Sequence, residues 1–349
     1  MHLEKEKLSL ILVEEDKAKQ SHSLFSIYDS KWNDAIRFTR FFLSFEKLRF
    51  VKKSLTYYLT IAVLKLKGIK KSFSQDPVAY QTIRKEDVYN PKGSFFKKNI
   101  TKQFKVSNST ITEITCNSNP NKLLIFIHGG AFVSGPAKHH WDSIKTIVQK
   151  TDYKIWMCNY PKAPESDIIE ISHNIDAVYD TALQDHKANQ ISFIGDSVGG
   201  TLITSLIQRL ISKQLPLPYQ ILLISPVMDA TMSNPEIDII DPMDPMLSKV
   251  GILSSKKMCA RNVDLKDTMI SPLYGSFVGF PKTVLFLGEY DIMYPDEKLA
   301  LEKMKQASID IQAFEGKGMP HIWPLLPVMK EAKQSLHQII QILNQNKPN

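Results

Sequence analysis

The 349-residue chain reads as an α/β protein with a mostly parallel central sheet flanked by helices. Two observations carry that reading. From about residue 95 onward, short β-rich apolar runs alternate with segments whose apolar residues recur every three or four positions. The short runs are apolar at nearly every position, as strands covered on both faces must be. Composition agrees. Hydrophobic residues make up 43% and charged residues 23%, the balance of a chain that buries a large core. That balance excludes a wholly disordered chain, a collagen-like fibre and a coiled-coil rod.

The elements follow in order. Residues 1–30 have weak periodicity. From about 31 to 73 the pattern is helical: Ile36, Phe41, Phe42, Phe45, Leu48, Val51, Leu55, Tyr58, Leu59 and Val63 recur at three- and four-residue steps, with Lys and Arg between them. Gly68 closes this stretch. A face so apolar must cover something, either the main domain or a lipid surface. The chain is thus read as an N-terminal helical segment, residues 1–90, and a main α/β domain, residues 91–349. Strands are expected at 123–127, 154–159, 191–194, 221–224, 284–287 and 310–314. Helices are expected at 170–184, 201–212, 297–306 and about 328–343. Residues 233–262, rich in Pro, Asp and Met, break the alternation and read as an insertion over one edge of the sheet.

The net charge of +8 is unevenly placed. Residues 1–105 hold 22 basic and 11 acidic residues, and the remainder holds 22 and 25. Such a basic segment is either a solvated helical face or a surface that meets nucleic acid or an anionic membrane. No nucleic-acid motif accompanies it, so no nucleic-acid partner is expected. Cys116, Cys158 and Cys259 are few, odd in number and widely spaced, which fits neither a disulfide framework nor a cysteine zinc site. They fit a reducing compartment. The apolar run at residues 8–13 is too short for a signal core, and that at 55–64 is about half a membrane span. A cytoplasmic location is the expectation.

The chemistry centres on residues 191–206, which read strand, sharp turn, helix. Gly195-Asp196-Ser197-Val198-Gly199 fits the pattern G-x-S-x-G. Its glycines permit a strained turn that thrusts the Ser197 hydroxyl out at the carboxyl end of a strand. The helix that starts there aims its amides and positive dipole end at the same spot. Upstream, His128-Gly129-Gly130-Ala131 follows a buried strand. Its consecutive glycines let backbone N–H groups approach an anion closely, as an oxyanion hole needs.

A hydroxyl needs a base, and the base an orienting carboxylate. In this arrangement both follow the serine, acid first. Only His321 and His337 follow Ser197. His337 sits in the amphipathic C-terminal helix, which leaves His321, in a loop after residues 310–314. The acid should lie just past a strand, here residues 283–288. Asp291 is the choice, with Glu289 as a weaker alternative and Asp296 as a loop or helix-cap residue.

With these residues in hand, the sequence resembles the hormone-sensitive-lipase-like branch of the α/β-hydrolase fold esterases, over about residues 90–345. The resemblance rests on His128-Gly129-Gly130-Ala131-Phe132, Tyr160-Pro161-Lys162-Ala163-Pro164-Glu165, Gly195-Asp196-Ser197-Val198-Gly199-Gly200, Ser271-Pro272-Leu273-Tyr274-Gly275, Asp291 and His321. It implies a Ser197 nucleophile, a His321 base and an Asp291 acid. It implies oxyanion donors from the backbone of Gly129, Gly130 or Ala131, together with Val198. It implies that residues 1–90 form a helical cap or lid, together with an insertion like 233–262, over a catalytic domain of residues 91–349. Ala131 departs from the family's third glycine, and Val198 stands where a smaller residue is common; both keep their backbone N–H.

The implied reaction is hydrolysis of a small-molecule ester with a short to medium acyl group, through an acyl-enzyme, with no metal or organic cofactor. Phe132, Met319 and Trp323 lie close enough to the motifs to line the substrate pocket. Amide or N-acetyl hydrolysis would use the same three groups. A membrane-surface lipid hydrolase would add contact through the basic N-terminal segment. A non-catalytic ligand-binding member of the fold would lack the base or the nucleophile, and here both are present. Oligomeric state is open.

Overall fold

The computed structural model describes residues 53–117 and 120–345. The expectations for residues 1–30, and for the helical stretch from 31 to 52, lie outside the described residues. Within the described residues the sheet has eight strands in the order β1-β2-β4-β3-β5-β6-β7-β8. The strands are β1 Ile100–Val106, β2 Ser109–Ile114, β3 Lys122–Ile127, β4 Tyr153–Asn159, β5 Ile191–Asp196, β6 Gln220–Ile224, β7 Lys282–Tyr290 and β8 Ile311–Pro320. β1 and β2 pair antiparallel, and β2 lies antiparallel on β4. All other pairs are parallel.

The five apolar runs from 123 to 287 are parallel strands; β5 starts where its run starts, and the other four start one or two residues earlier. Every residue of β5 and β6 is buried, so helices must cover both faces of the sheet. The covering helices include Lys138–Val148, Ile168–Asp185, Val198–Ser212, Tyr294–Gln306 and Lys330–Gln345. Periodicity missed β1, β2 and the helix Lys138–Val148. β1 alternates lysines, threonine and glutamine with a few apolar residues at the sheet edge, and buries only Val106. The helix opens with Lys138-His139-His140-Trp141, so its buried face mixes His140, Trp141 and Ser143 with Ile144, Ile147 and Val148.

The N-terminal part clasps the ends of the sheet. The helix Leu55–Leu66 starts at Ser54, whose hydroxyl accepts from the Tyr57 amide at 3.1 Å. It buries Tyr57 and Ile61, and the Tyr57 hydroxyl donates to the Gly318 carbonyl at 2.8 Å. Gly68 follows in the left-handed region at φ +65. Further on, the chain packs against the insertion, which holds the helices Glu236–Ile240 and Lys249–Ala260. The Val78 amide donates to Ser254 Oγ at 3.0 Å. Gly251 lets the Phe73 carbonyl pass, because a Cβ there would sit 1.9 Å from that oxygen. No helix among the described residues is long and apolar enough to cross a membrane.

This close approach is testable. Gly251→Ala should push residues 73–78 off the insertion helix and cost about 1–3 kcal/mol, the usual range for overpacking. The urea unfolding midpoint of the full chain should fall accordingly. An unchanged midpoint would mean that residues 73–78 tolerate displacement without loss.

Candidate active site

Three parallel strand ends build the site. β5 ends at Asp196, and the helix Val198–Ser212 begins two residues later. Ser197 alone makes the turn, at φ 53 and ψ −126, a conformation costly for any residue with a Cβ. Two features hold it there. The Ser197 amide donates to the Ile224 carbonyl at 2.9 Å, and its own carbonyl accepts from Gly200 at 3.0 Å. Gly199 allows the helix to cross β3 closely, since a Cβ would meet the Ile127 carbonyl oxygen at 2.0 Å. Ser197 keeps 8% of its surface exposed.

β7 and β8 deliver the other two groups. Asp291 follows β7 directly. β8 extends through Gly316-Lys317-Gly318-Met319-Pro320, six residues past the strand end expected at 314, so His321 follows a strand rather than sitting in a free loop. The pairing slips once between Gly288 and Tyr290, and Tyr290 then lies opposite Pro320. That register sets His321 beside Asp291. His321 Nδ1 is 2.7 Å from Asp291 Oδ2. Asp291 is fully buried, and its other oxygen accepts from the Met293 amide at 2.9 Å. Burial alone would lower the His321 pKa, but the charge of Asp291 and its hydrogen bond outweigh it and raise it. With Nδ1 donating to the carboxylate, Nε2 is left as the proton acceptor. The Ile322 amide donates to Ser225 Oγ at 3.0 Å, which fixes the chain just past the histidine. Among the described residues no hydrogen bond joins the Ser197 hydroxyl to His321.

The alternative acids have other tasks. Glu289 Oε2 accepts from the Gly318 amide at 2.6 Å. Asp296 lies inside the first turn of the helix Tyr294–Gln306, which starts three residues before the expected 297, and accepts from Asn234 at 2.9 Å. His337 is exposed on the C-terminal helix. A further carboxylate comes from the insertion. Asp244 is buried and accepts from the amides of Met246, Leu247 and Ile292 at 2.7, 2.9 and 3.0 Å. Burial and the neighbouring Asp291 charge raise its pKa. It ties the insertion to the residue after Asp291.

The turn after β3 faces the elbow. The His128 carbonyl accepts from the Tyr160 hydroxyl at 2.8 Å, and the two rings stack with centroids 4.5 Å apart. The Gly129 amide donates to Asp196 Oδ1 at 3.0 Å, so that expected oxyanion donor is already committed. The amides of Gly130, Ala131 and Val198 donate to no acceptor among the described residues. Ala131 and Phe132 both have positive φ, at 55 and 64, where a glycine would be less strained.

Asp196 organises this turn. Its carboxylate is buried and lies 3.2 Å from His140 Nε2. His140 Nδ1 accepts from the Ala137 amide at 2.8 Å, which puts the ring proton on Nε2, facing Asp196. Burial would raise the Asp196 pKa, but the fields of His140 and His139 and the hydrogen bonds from His140 and Gly129 outweigh it and hold it at about 2. His139, His140 and Asp196 have ligand atoms within 4.8 Å of one another. A metal would need the His140 Nε2 lone pair, and the Ala137 amide already occupies Nδ1, so this group fits a hydrogen-bonded support better than a metal centre.

Arg84 braces the same turn from outside. Its guanidinium donates to the Val133 carbonyl at 2.6 Å and the Ala163 carbonyl at 2.8 Å, and pairs bidentately with Glu165 at 2.8 and 2.6 Å. Asp87 Oδ1 accepts from the Gly135 amide at 2.7 Å. No motif marks Arg84 or Asp87 in the sequence. Of the expected pocket residues, Phe132 is wholly buried, and Met319 and Trp323 pack over Gly316. Trp323 also lies edge-on to Phe286 at 6.3 Å.

Asp196→Asn is expected to set an amide N–H against either the Gly129 amide or His140. It should cost about 1–3 kcal/mol, read as a lower urea midpoint at neutral pH. The depressed pKa adds a sign. Native Asp196 contributes stability above its ordinary value of 3.8 and loses it as pH falls towards about 2. The gap between wild type and variant should therefore narrow over that window.

Comparison with known proteins identifies the fold family. Residues 124–325 match the family model described as alpha/beta hydrolase fold. An esterase of Acinetobacter venetianus is 28% identical over 235 residues, which span 66% of this chain and 77% of the relative. A triacylglycerol lipase of Mycobacterium tuberculosis is 26% identical over 183 residues, 52% of this chain but only 37% of the lipase. The structure of an esterase from the bacterial hormone-sensitive lipase (HSL) family aligns with a TM-score of 0.74 at 21% identity, covering 85% of this chain and 99% of that one. By its sheet order, its serine turn and the extent of the family match, the chain belongs to the alpha/beta hydrolase fold family.

Proposed function

We propose that the chain is a serine carboxylesterase that hydrolyses esters of short to medium acyl groups through an acyl-enzyme. The observation that carries this reading is the 2.7 Å His321–Asp291 hydrogen bond at the same sheet end as the strained Ser197 turn. Likeness to the Acinetobacter esterase supports the choice of ester chemistry.

In this mechanism His321 Nε2 removes the Ser197 hydroxyl proton as Oγ attacks the ester carbonyl. Asp291 holds the ring tautomer and stabilises the imidazolium that forms. The oxyanion is received by the amides of Gly130, Ala131 and Val198, the three left without acceptors. His321 then passes its proton to the leaving alcohol. Water, deprotonated by the same nitrogen, attacks the acyl-enzyme, and Ser197 departs with the proton returned. The apo site lacks the Ser197–His321 hydrogen bond, as free enzymes often do before substrate tightens the contact.

Acyl size is argued from packing. Phe132 beside the oxyanion turn, and Met319 and Trp323 beside the base, are bulky and closely packed, which restricts the room for a long chain. The N-terminal segment up to about residue 90 acts with the insertion as the cap. The contacts of Phe73 and Val78 with the helix Lys249–Ala260 support that division.

Hydrolysis of a p-nitrophenyl ester series tests the proposal. Wild type should be active with an optimum at short to medium acyl length. Ser197→Ala should lose at least ~10³-fold with an unchanged unfolding midpoint. Full activity in a folded Ser197→Ala would overturn the assignment. The pH profile carries a second sign. His321 must be neutral to act, and its pKa is raised, so kcat/KM should fall on an acid limb whose midpoint lies above 6.5.

A further inference from the structure

The helix Leu55–Leu66 buries one face and turns another, unusually apolar one to solvent. Leu55, Leu59, Val63 and Leu66 are 75, 52, 49 and 87% exposed. Their spacing of four, four and three residues makes one stripe along the helix. Tyr58 and Ala62 widen it. Lys65, Lys67 and Lys71 are exposed at its far end. Scattered exposed leucines need no explanation, but a continuous stripe does.

Charge identifies what the stripe faces. Residues 53–75 contain no Asp or Glu. Residues 53–105 hold 12 basic and 3 acidic residues, a surplus of nine against a whole-chain net charge of +8. Residues 1–52 hold 10 basic and 8 acidic residues, whereas the helix and its flanks, residues 53–75, hold five basic residues, Lys53, Lys65, Lys67, Lys70 and Lys71, and no acidic one. An apolar strip bordered by lysines matches an anionic lipid surface, where leucines enter the acyl boundary and ammonium groups meet phosphates. A near-neutral protein segment would satisfy the leucines and leave the charge unmatched.

The other side of the helix leads to the catalytic base. The Tyr57 hydroxyl donates to the Gly318 carbonyl, and Lys53 Nζ donates to the Lys317 carbonyl, three and four residues before His321. Ser54 holds Glu331 through its amide and its hydroxyl, both at 2.7 Å. A surface held by the stripe therefore lies one helix away from the strand end that carries His321.

We propose that the exposed stripe of Leu55–Leu66 docks this protein on anionic phospholipid surfaces. The inference does not rest on the esterase reading, because docking is measured without turnover. The full chain is sedimented with vesicles of phosphatidylcholine alone and of phosphatidylcholine and phosphatidylglycerol in equal parts. Two variants are compared, Leu59→Glu with Val63→Glu, and Lys67→Glu with Lys71→Glu. All four positions are exposed, and an unchanged urea midpoint verifies folding.

Wild type should sediment with the mixed vesicles at low salt and far less with phosphatidylcholine. Each double variant should bind at least about tenfold more weakly. Hydrolysis of a water-soluble ester should stay at the wild-type rate, since none of the four residues touches the site. Binding that survives both variants would place the lipid contact elsewhere and overturn the proposal. Failure of wild type to bind the mixed vesicles would overturn it too, and a doubled mass by light scattering would then assign the stripe to a second copy.

Discussion

Asp196 is an anion held out of water at the end of β5, and two donors make that tolerable: the Gly129 amide and the His140 ring. The next residue is Ser197. One carboxylate thus fixes the turn after β3 and the turn that presents Ser197, at a single point. The arrangement depends on ionisation. A protonated Asp196 would be a weaker acceptor for both donors, and the fields and hydrogen bonds that lower its pKa to about 2 keep it charged at neutral pH. His140 is fixed in turn, through the Ala137 amide at its other nitrogen. Rigidity here comes from a chain of directional bonds rather than from bulk packing.

The rest of the site inherits its geometry from the sheet. Parallel neighbours β7 and β8 end together, so Asp291 and His321 meet without any long loop having to be ordered. The one slip in register, before Tyr290, adjusts where the acid emerges. Of the ten non-glycine residues with positive φ among the described residues, Ala131, Phe132, Ser197, Ser225 and Ile322 lie at this end of the sheet. Asp244 from the insertion and Arg84 from the N-terminal segment then hold the acid loop and the oxyanion turn from outside. Elements far apart in sequence therefore share control of a few ångströms of geometry.

Much of this was legible beforehand, for identifiable reasons. Strands buried on both faces leave unbroken apolar runs, so β3 to β7 could be placed from residues such as Leu123 and Ile221. Gly195 to Gly199 signalled a turn because only glycines allow its close crossings. Chain order left His321 and His337, and the helical pattern around His337 singled out His321. Other features left no periodic trace. β1 is an edge strand whose lysines face water. The end of β8 is Gly-Lys-Gly-Met-Pro, which has no strand propensity and is ordered by pairing with β7 and by Glu289. The commitment of the Gly129 amide to Asp196 is a tertiary hydrogen bond, invisible to any motif. Arg84, Asp87 and Asp244 look like ordinary charged residues until the fold brings them to backbone groups of the site.

The central claim is that Ser197 is a nucleophile activated by His321. The most direct measurement is peptide mapping by mass spectrometry after exposure of the full chain to a fluorophosphonate, which labels activated serines covalently. The account predicts one adduct, on the peptide bearing Ser197, lost in His321→Ala and blocked by acid pH. An unlabelled Ser197 in the folded wild type, or a label that persists undiminished without His321, would contradict it.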